Sequence, residues 1–519
     1  MKKYFLKTWL LAVLVVILIS SCEKQLKIDP RQSINASTAL TSREALDAAI
    51  TGVYARLKSA RIYGRDMITH GDALADNGFA TNKSGRLLPE AQNNQGAHYT
   101  TTIWTSGYAG INQINLVLEA IPKLDPSLAV SQAEINKWEG QLYFLRGLFY
   151  FNMMQVYAYF PTAVITAQNR GGVPILTRGI SSADSALLLL PARAPIDDVY
   201  NLIVADFTLA ESKLLTSGAG VGTALANKNA AQAMLARVNL FRGNYSQAKT
   251  WADACITSSG SRITTTANYV AQWRGEHNQE TLFQVRFASA AENIGVNESL
   301  QTSHSTLVTP GNVTTTGGWG DLVPTLTMLT DLGITLAGGM TTANFAVNAV
   351  VASRNTDIRN LMYEPGTTGR GPAKVECTKY MGKNGAINLD NAPVIRVSEA
   401  YLIRAEAAST TGSPVANLAN ALADLKFIKS RRYTNYTGSA EEISDNALDL
   451  QGVFNEVMRQ RRIEFAFEGH RFFDLKRLGM DLIKSPHYNS VPFTNTRILA
   501  PIPQGDVDGN PNLRQNAGY

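Results

Sequence analysis

Glu464 and Glu468 stand four residues apart in the densest charge cluster of the chain, among Arg461, Arg462, Arg471, Asp474 and Arg477. On a helix that spacing puts both carboxylates on one face, as paired carboxylates for glycosidic cleavage would require. A general acid needs a raised pKa, whereas interleaved arginines hold carboxylates ionised. The cluster therefore reads as a structural ion-pair network. The six histidines, His70, His98, His277, His304, His470 and His487, form no HExxH and no pair at metal spacing. Gly366-Thr367-Thr368-Gly369-Arg370-Gly371 lacks the Gly-Lys-Ser/Thr ending of a phosphate loop and reads as a flexible loop. Asp506-Val507-Asp508-Gly509-Asn510 carries oxygen ligands at alternate positions, but its glycine is misplaced for an EF-hand and no glutamate follows at the required spacing. Calcium there is the alternative to a plain Asx/Gly turn; otherwise no cofactor is expected, and no Gly-x-Ser-x-Gly elbow is present.

Binding without catalysis would fall to polar and aromatic residues on irregular segments. Asp72, Asp76 and Asn77 follow the first helical stretch, and an Asn/Gln/Gly-rich loop carries Asn93, Asn94, His98 and Tyr99. Trp319 lies in Thr316-Gly317-Gly318-Trp319-Gly320, where the glycines argue against a buried helical or strand role. The expected ligand site is Trp319 as an exposed platform, with Asp72, Asp76, Asn77 and Tyr99 as its rim. Trp138 and Trp251 fall on apolar helix faces and read as core.

One cysteine has chemistry of another kind. Lys2, Lys3 and Lys7 precede an apolar run from Leu10 to Ile19, and the run ends in Ile19-Ser20-Ser21-Cys22. This is a signal-peptide pattern ending in a sequence that resembles a bacterial lipobox, with Cys22 as the thiol that receives the lipid. An uncleaved anchor helix is the alternative, although the run falls short of the ~20 apolar residues a span requires. Cleavage removes three lysines and no acidic residue, taking the formal charge from +6 to +3. That near balance argues against a nucleic-acid partner. Cys255 and Cys377 sit far apart outside any CxxC spacing and read as buried small apolar residues, with a disulfide as the alternative.

The elements that must position these residues are mostly helical. Residues 1–21 form the signal and 22–39 a polar tether; 40–519 reads as one domain, with an irregular insertion at about 257–395. A capping box at Thr41-Ser42-Arg43-Glu44 opens a helix with Leu46, Ile50, Val53 and Leu57 on one face. Trp104 to Ile121 makes a second stripe that stops at Pro122. Ser131-Gln132-Ala133-Glu134 caps a long helix towards Pro161, followed by helices at Asp197–Leu215 and Ala226–Phe241. Gly243-Asn244-Tyr245-Ser246-Gln247-Ala248 with Ala252 is tetratricopeptide-like turn chemistry. The insertion, rich in Gly, Thr and Asn, predicts short strands such as 281–287 and long loops. Helical signal resumes at Val394–Ala408, Ala416–Arg432 and Val453–Phe473. The fold class is mainly α: about four tetratricopeptide-like helix pairs with a loop-rich part and a few short strands.

Several segments resemble the SusD/RagB family in the family's own order. They include Trp104-Thr105-Ser106-Gly107-Tyr108, Phe144-Leu145-Arg146-Gly147-Leu148, Gly172-Val173-Pro174, Asp357-Ile358-Arg359 and Ile395-Arg396-Val397-Ser398-Glu399. The most specific are the run from Arg461 to Arg477 and the closing Gln515-Asn516-Ala517-Gly518-Tyr519. Gln460 and Ala517 depart from residues usual in the family, Glu and Pro respectively. The resemblance implies four tetratricopeptide-like units supporting an irregular half, tethered by lipid to the outer membrane at the cell surface. It also implies a partner, a SusC-like TonB-dependent transporter, to which an oligosaccharide or in some members a peptide is delivered without chemistry. A surface peptide-binding member of the family and a surface glycoside hydrolase are the alternatives.

Overall fold

The structure, a computed structural model, describes residues 39–383 and 386–519. The signal, Cys22 and most of the tether lie outside the described residues. Among the described residues no helix is long and apolar enough to cross a membrane.

Helix α1 (Arg43–Leu57) buries Leu46, Ile50, Val53 and Leu57, the stripe the spacing predicts. Its cap is Ser42, whose side chain accepts from Ala45 N, one residue later than the predicted box. The short helix α2 (Asp66–Ala73) follows, then α3 (Thr102–Ala120) and α4 (Gln132–Tyr157). The box opening α4 is complete: Ser131 Oγ accepts from Glu134 N while Glu134 accepts from Ser131 N. From Phe144 to Tyr157 every side of α4 is buried, as expected of an element in the middle of a helical body. Helices α5 (Ile196–Lys213), α6 (Lys228–Phe241), α7 (Tyr245–Ser259), α8 (Val397–Ser409) and α9 (Leu418–Ser430) complete the stack. Consecutive members pack on one another from α3 through α9, and α1 packs on α3. Four pairs result: α1 with α3, α4 with α5, α6 with α7, and α8 with α9. Arg146 on α4 clamps three helices, donating to both Asp206 oxygens on α5 at 2.8 and 2.7 Å and to Asn115 on α3 at 2.9 Å.

Among the described residues, eight short strands pair as four antiparallel ribbons. They are β1 (Gly78–Ala80), β2 (Thr281–Val285), β3 (Leu322–Pro324), β4 (Ile334–Leu336), β5 (Val351–Arg354), β6 (Tyr363–Pro365), β7 (Val375–Cys377) and β8 (Ala392–Arg396). The pairings are β1 with β3, β2 with β8, β4 with β5, and β6 with β7. Residues before 100 thus join the irregular part through β1, which the expected 257–395 insertion does not include. A second apolar cluster there, built on Trp273, Met328, Phe345, Tyr363 and Phe467, is separate from the helical core. Cys255 lies in the helical core and Cys377 in this second cluster, both unbonded and buried.

Two expected helices are corrected. Residues 394–396 belong to β8, because α8 begins only at Val397. The 453–473 helix is two, α10 (Leu450–Glu464) and α11 (Arg471–Arg477), since Phe467 at φ +62° and Gly469 at φ +85° turn the chain between them.

Candidate functional site

The glutamates that could have been catalytic sit where the two halves join. Glu464 ends α10, and Glu468 lies within the turn that follows, so they share no helix face. Arg396 bridges them: Nη1 donates to Glu464 Oε1 at 2.9 Å and to Glu280 Oε2 at 2.9 Å, and Nε donates to Glu468 Oε2 at 2.8 Å. Arg432 adds bonds to Glu280 and Glu464, Arg359 to Glu464 and Asp357, and Lys379 to Glu468. Four acids thus meet four bases, all buried. Burial alone would raise the Glu464 carboxyl, but Arg432, Arg396 and Arg359 outweigh it and hold it well below the usual range. Arg396 and Lys379 likewise outweigh burial at Glu468 and lower it. Neither group is a proton donor near neutral pH. The ion-pair reading holds, but not with the arginines beside these glutamates in sequence. Arg461 and Arg477 pair with Asp474, Arg477 also with Glu406, while Arg462, which also pairs with Asp331, and Arg471 reach across to Asp76 before β1.

That last contact corrects the expected rim. Arg471 grips Asp76 through two bonds of 2.7 and 2.8 Å, and Arg462 Nε donates to Asn77 Oδ1 at 2.8 Å. Asn77 Nδ2 donates in turn to Asp72 Oδ1 at 2.8 Å, and Gly469 N donates to Asp72 Oδ2 at 3.3 Å. Burial raises Asp72 to about 6 against these bonds; Asp76, also buried, is brought down to about 2 by Arg471 and Arg462. Tyr99 is buried, stacked on Phe473 and His70. Asp72, Asp76 and Asn77 fasten the chain before β1 to the 460–473 segment, Tyr99 beyond β1 packs on Phe473 of the same segment, and all four are buried. Nor do Asp76 and Asn77 lie beside Trp319. Thr325 N donates to Asn77 O at one end of the β1–β3 ribbon, while Thr81 donates to Gly320 O at the other. Four residue steps along β1, from Asn77 to Thr81, separate the ends, about 14 Å at ~3.4 Å each.

Trp319 has company of its own. Its backbone is pinned by bonds from Trp319 N and Gly320 N to Thr302 O. At Gly318 an added Cβ would lie 2.0 Å from Ser305 O. Gly318 therefore reports close packing of backbone on backbone. The indole is half-buried, and the Arg370 guanidinium lies 3.8 Å from its ring centroid while Arg370 Nε donates to Gly318 O at 2.8 Å. Arg86 approaches to 5.9 Å. Trp319 is thus a guanidinium-capped indole and not the bare platform expected. Four buried polar atoms here carry no protein hydrogen bond: Trp319 Nε1, Arg86 Nη1, Asp321 Oδ2 and Lys83 Nζ. Arg86 Nη1 lies 3.5 Å from Asp321 Oδ2, and Lys83 Nζ lies 3.6 Å from Glu376 Oε1. Burial raises both Asp321 and Glu376, more than their cationic and hydroxyl neighbours lower them. Buried polar groups are nearly always bonded, so this loop cluster is the candidate binding site. Lys83, Arg86 and Arg370 carried no sequence signal beyond lying in loops.

Other ligand geometries are weaker. Residues 506–510 fall on a helical turn, Gln504–Gly509, where two residues are about 200° apart around the axis, so Asp506 and Asp508 point to different sides. Glu441, Asp445 and Glu456 do converge, but Lys429 Nζ sits among them at 2.6, 2.7 and 3.2 Å.

A lattice of tetratricopeptide-like helix pairs carrying a loop-rich half, with an incompletely bonded polar cluster on its loops, has the architecture of a helical-repeat binding protein. The chain belongs to the SusD/RagB family. Residues 365–519 match the SusD family model, and 26–240 match one described as starch-binding associating with outer membrane. A relative, SusD-like protein P38 of Formosa agariphila, is 23% identical over 96% of each chain. The crystal structure of a SusD superfamily protein from Bacteroides thetaiotaomicron covers 91% of this chain and 99% of its own at 24% identity, with a TM-score of 0.74. A laminarin binding SusD-like protein covers 92% and 100% at 18% identity, with a TM-score of 0.64.

Proposed function

We propose that this protein is a surface lipoprotein of the outer membrane that captures an oligosaccharide and hands it to a SusC-like TonB-dependent transporter, performing no chemistry itself. The observation that carries the binding role is the cluster around Trp319, where a half-exposed indole and four unbonded buried polar atoms share one set of loops. Arg370 covers one face of the indole, and the fixed hydrogen-bonding groups around it suit the hydroxylated edge of a sugar ring. The starch-binding description of the matching family model and the laminarin binding structural neighbour support a carbohydrate over a peptide. The ionised, fully paired state of Glu464 and Glu468 supports binding over hydrolysis.

Calorimetry against an oligosaccharide panel tests this, with release of reducing ends assayed alongside. Trp319→Ala should weaken binding by about 2 kcal/mol or more, the size of a hot-spot aromatic, with little change in melting. Wild-type affinity, or binding lost together with the fold, would return Trp319 to a packing role, and reducing ends released by purified protein would favour the hydrolase. Anchoring is tested separately. Cys22→Ala should yield folded protein that no longer floats with outer-membrane vesicles, since two or more acyl chains are what hold such a protein stably. A variant that still floats would show that something other than the lipid retains it.

A further inference from the structure

The Trp319 cluster is unevenly made. Of its four buried atoms without a protein hydrogen bond, Lys83 Nζ, Arg86 Nη1 and Trp319 Nε1 are donors, and Asp321 Oδ2 alone is an acceptor. The charges are uneven too. Lys83 faces Glu376 and Arg86 faces Asp321, and Arg370 over the indole is a third cation, leaving an excess of one positive charge. Glu376 is already spent, accepting from Thr306 N, Thr306 Oγ1 and Ser305 Oγ. Arg370 has no carboxylate partner among the described residues; its recorded bond is from Nε to Gly318 O, which leaves the rest of its donor fork uncommitted. The Lys83 side chain is only 6% exposed, and a cation so desolvated, with its ammonium outside hydrogen-bond geometry to its acid, calls for a further acceptor.

A neutral sugar answers this poorly. Each hydroxyl brings a donor with every acceptor and no charge, so three orphaned donors and a positive excess stay uncompensated. A carboxylate or sulfate ester brings acceptors alone, matches a guanidinium fork through paired charge-assisted bonds, and cancels the excess. Resting on the reading of this cluster as the ligand site, we infer that the ligand is an anionic oligosaccharide, with its uronate carboxylate or sulfate ester held by Arg370, Arg86 and Lys83 beside Trp319.

The test is calorimetry of the full mature chain against three probes: a tetragalacturonate, a sulfated carrageenan tetrasaccharide and neutral laminaritetraose. One or both acidic probes should bind at least about tenfold tighter than the neutral one, as charge-assisted bonds require. That advantage should shrink steeply between roughly 0.05 and 0.5 M NaCl. Arg370→Gln should erase the preference with unchanged melting, while Arg370→Lys, which keeps the charge, should restore part of it. Which acidic probe wins separates carboxylate from sulfate. Laminaritetraose bound as tightly as the acidic probes in a Trp319-dependent way would overturn the anionic class and leave the site reading standing. Binding indifferent to both Trp319→Ala and Arg370→Gln, or none by any probe, would overturn both.

Discussion

With Arg396 replaced by leucine, the unfolding free energy at pH 7 should fall by about 3–5 kcal/mol, the cost of removing one partner from a buried ion pair. Arg396 distributes its donors to Glu280, Glu464, Glu468 and Ser398, so its loss leaves three buried carboxylates to share Arg359, Arg432 and Lys379. Glu464→Gln and Glu468→Gln should act in the same direction, with oligosaccharide affinity retained because neither belongs to the Trp319 cluster. Denaturant titration checks this; a loss below about 1 kcal/mol, the range of exposed pairs, would mean the network is hydrated. The pH profile supplies an independent check. Glu464 and Glu468 are depressed, and Glu399 and Asp76 are brought to about 2 by their arginines against the opposing effect of burial. A depressed folded-state pKa contributes stability that is complete above the unfolded value, near 4, and is lost as pH falls through the folded one. Stability should hold at neutral pH and decline from about pH 4 towards pH 2, and the decline should be shallower in Arg396→Leu.

Gly469→Ala should damage the fold comparably by a different route. Gly469 sits at φ +85°, and an added Cβ would lie 2.2 Å from Met67 O and 3.0 Å from Ile68 Cα. Both neighbours are backbone of α2, and Gly71 of that helix faces Gly469 O just as closely, so neither side can yield by turning a side chain. The left-handed conformation costs an L-residue roughly 1–2 kcal/mol, and forced overpacking adds about 1–3 kcal/mol. The denaturation midpoint should drop accordingly, with proteolysis accelerated near α2 and α11. Unchanged stability with an unchanged protease pattern would show that the turn re-forms without this approach.

The helical stack was legible because its signals are local. Ser131 and Glu134 close their box within one turn, and Leu46, Ile50, Val53 and Leu57 repeat at the helical period whatever the rest of the chain does. Where boundaries slipped, a local signal competed with a distant partner. Val394, Ile395 and Arg396 have helical neighbours in sequence, yet pair with β2 more than 100 residues earlier. The Arg461–Arg477 run looked continuous because Phe467 and Gly469 announce no break until Met67 and Gly71 come to lie against them.

Sequence by itself determined the helical class, the pairwise repeat, the family resemblance and the ionised character of the Glu464–Glu468 cluster, since each follows from residue type at short spacing. Tertiary structure alone decided which charges meet. Asp72, Asp76 and Asn77 looked like a ligand rim because acids and amides on an irregular segment ordinarily face water, whereas here Arg462 and Arg471, nearly 400 positions onward, draw them inward. Arg86 and Arg370 looked like unremarkable loop cations until folding set them over one indole, with Lys83 held near Glu376 beside Gly320. Coulombic pairing and desolvation depend on distance through space and on what excludes water, and neither quantity is written in the order of residues.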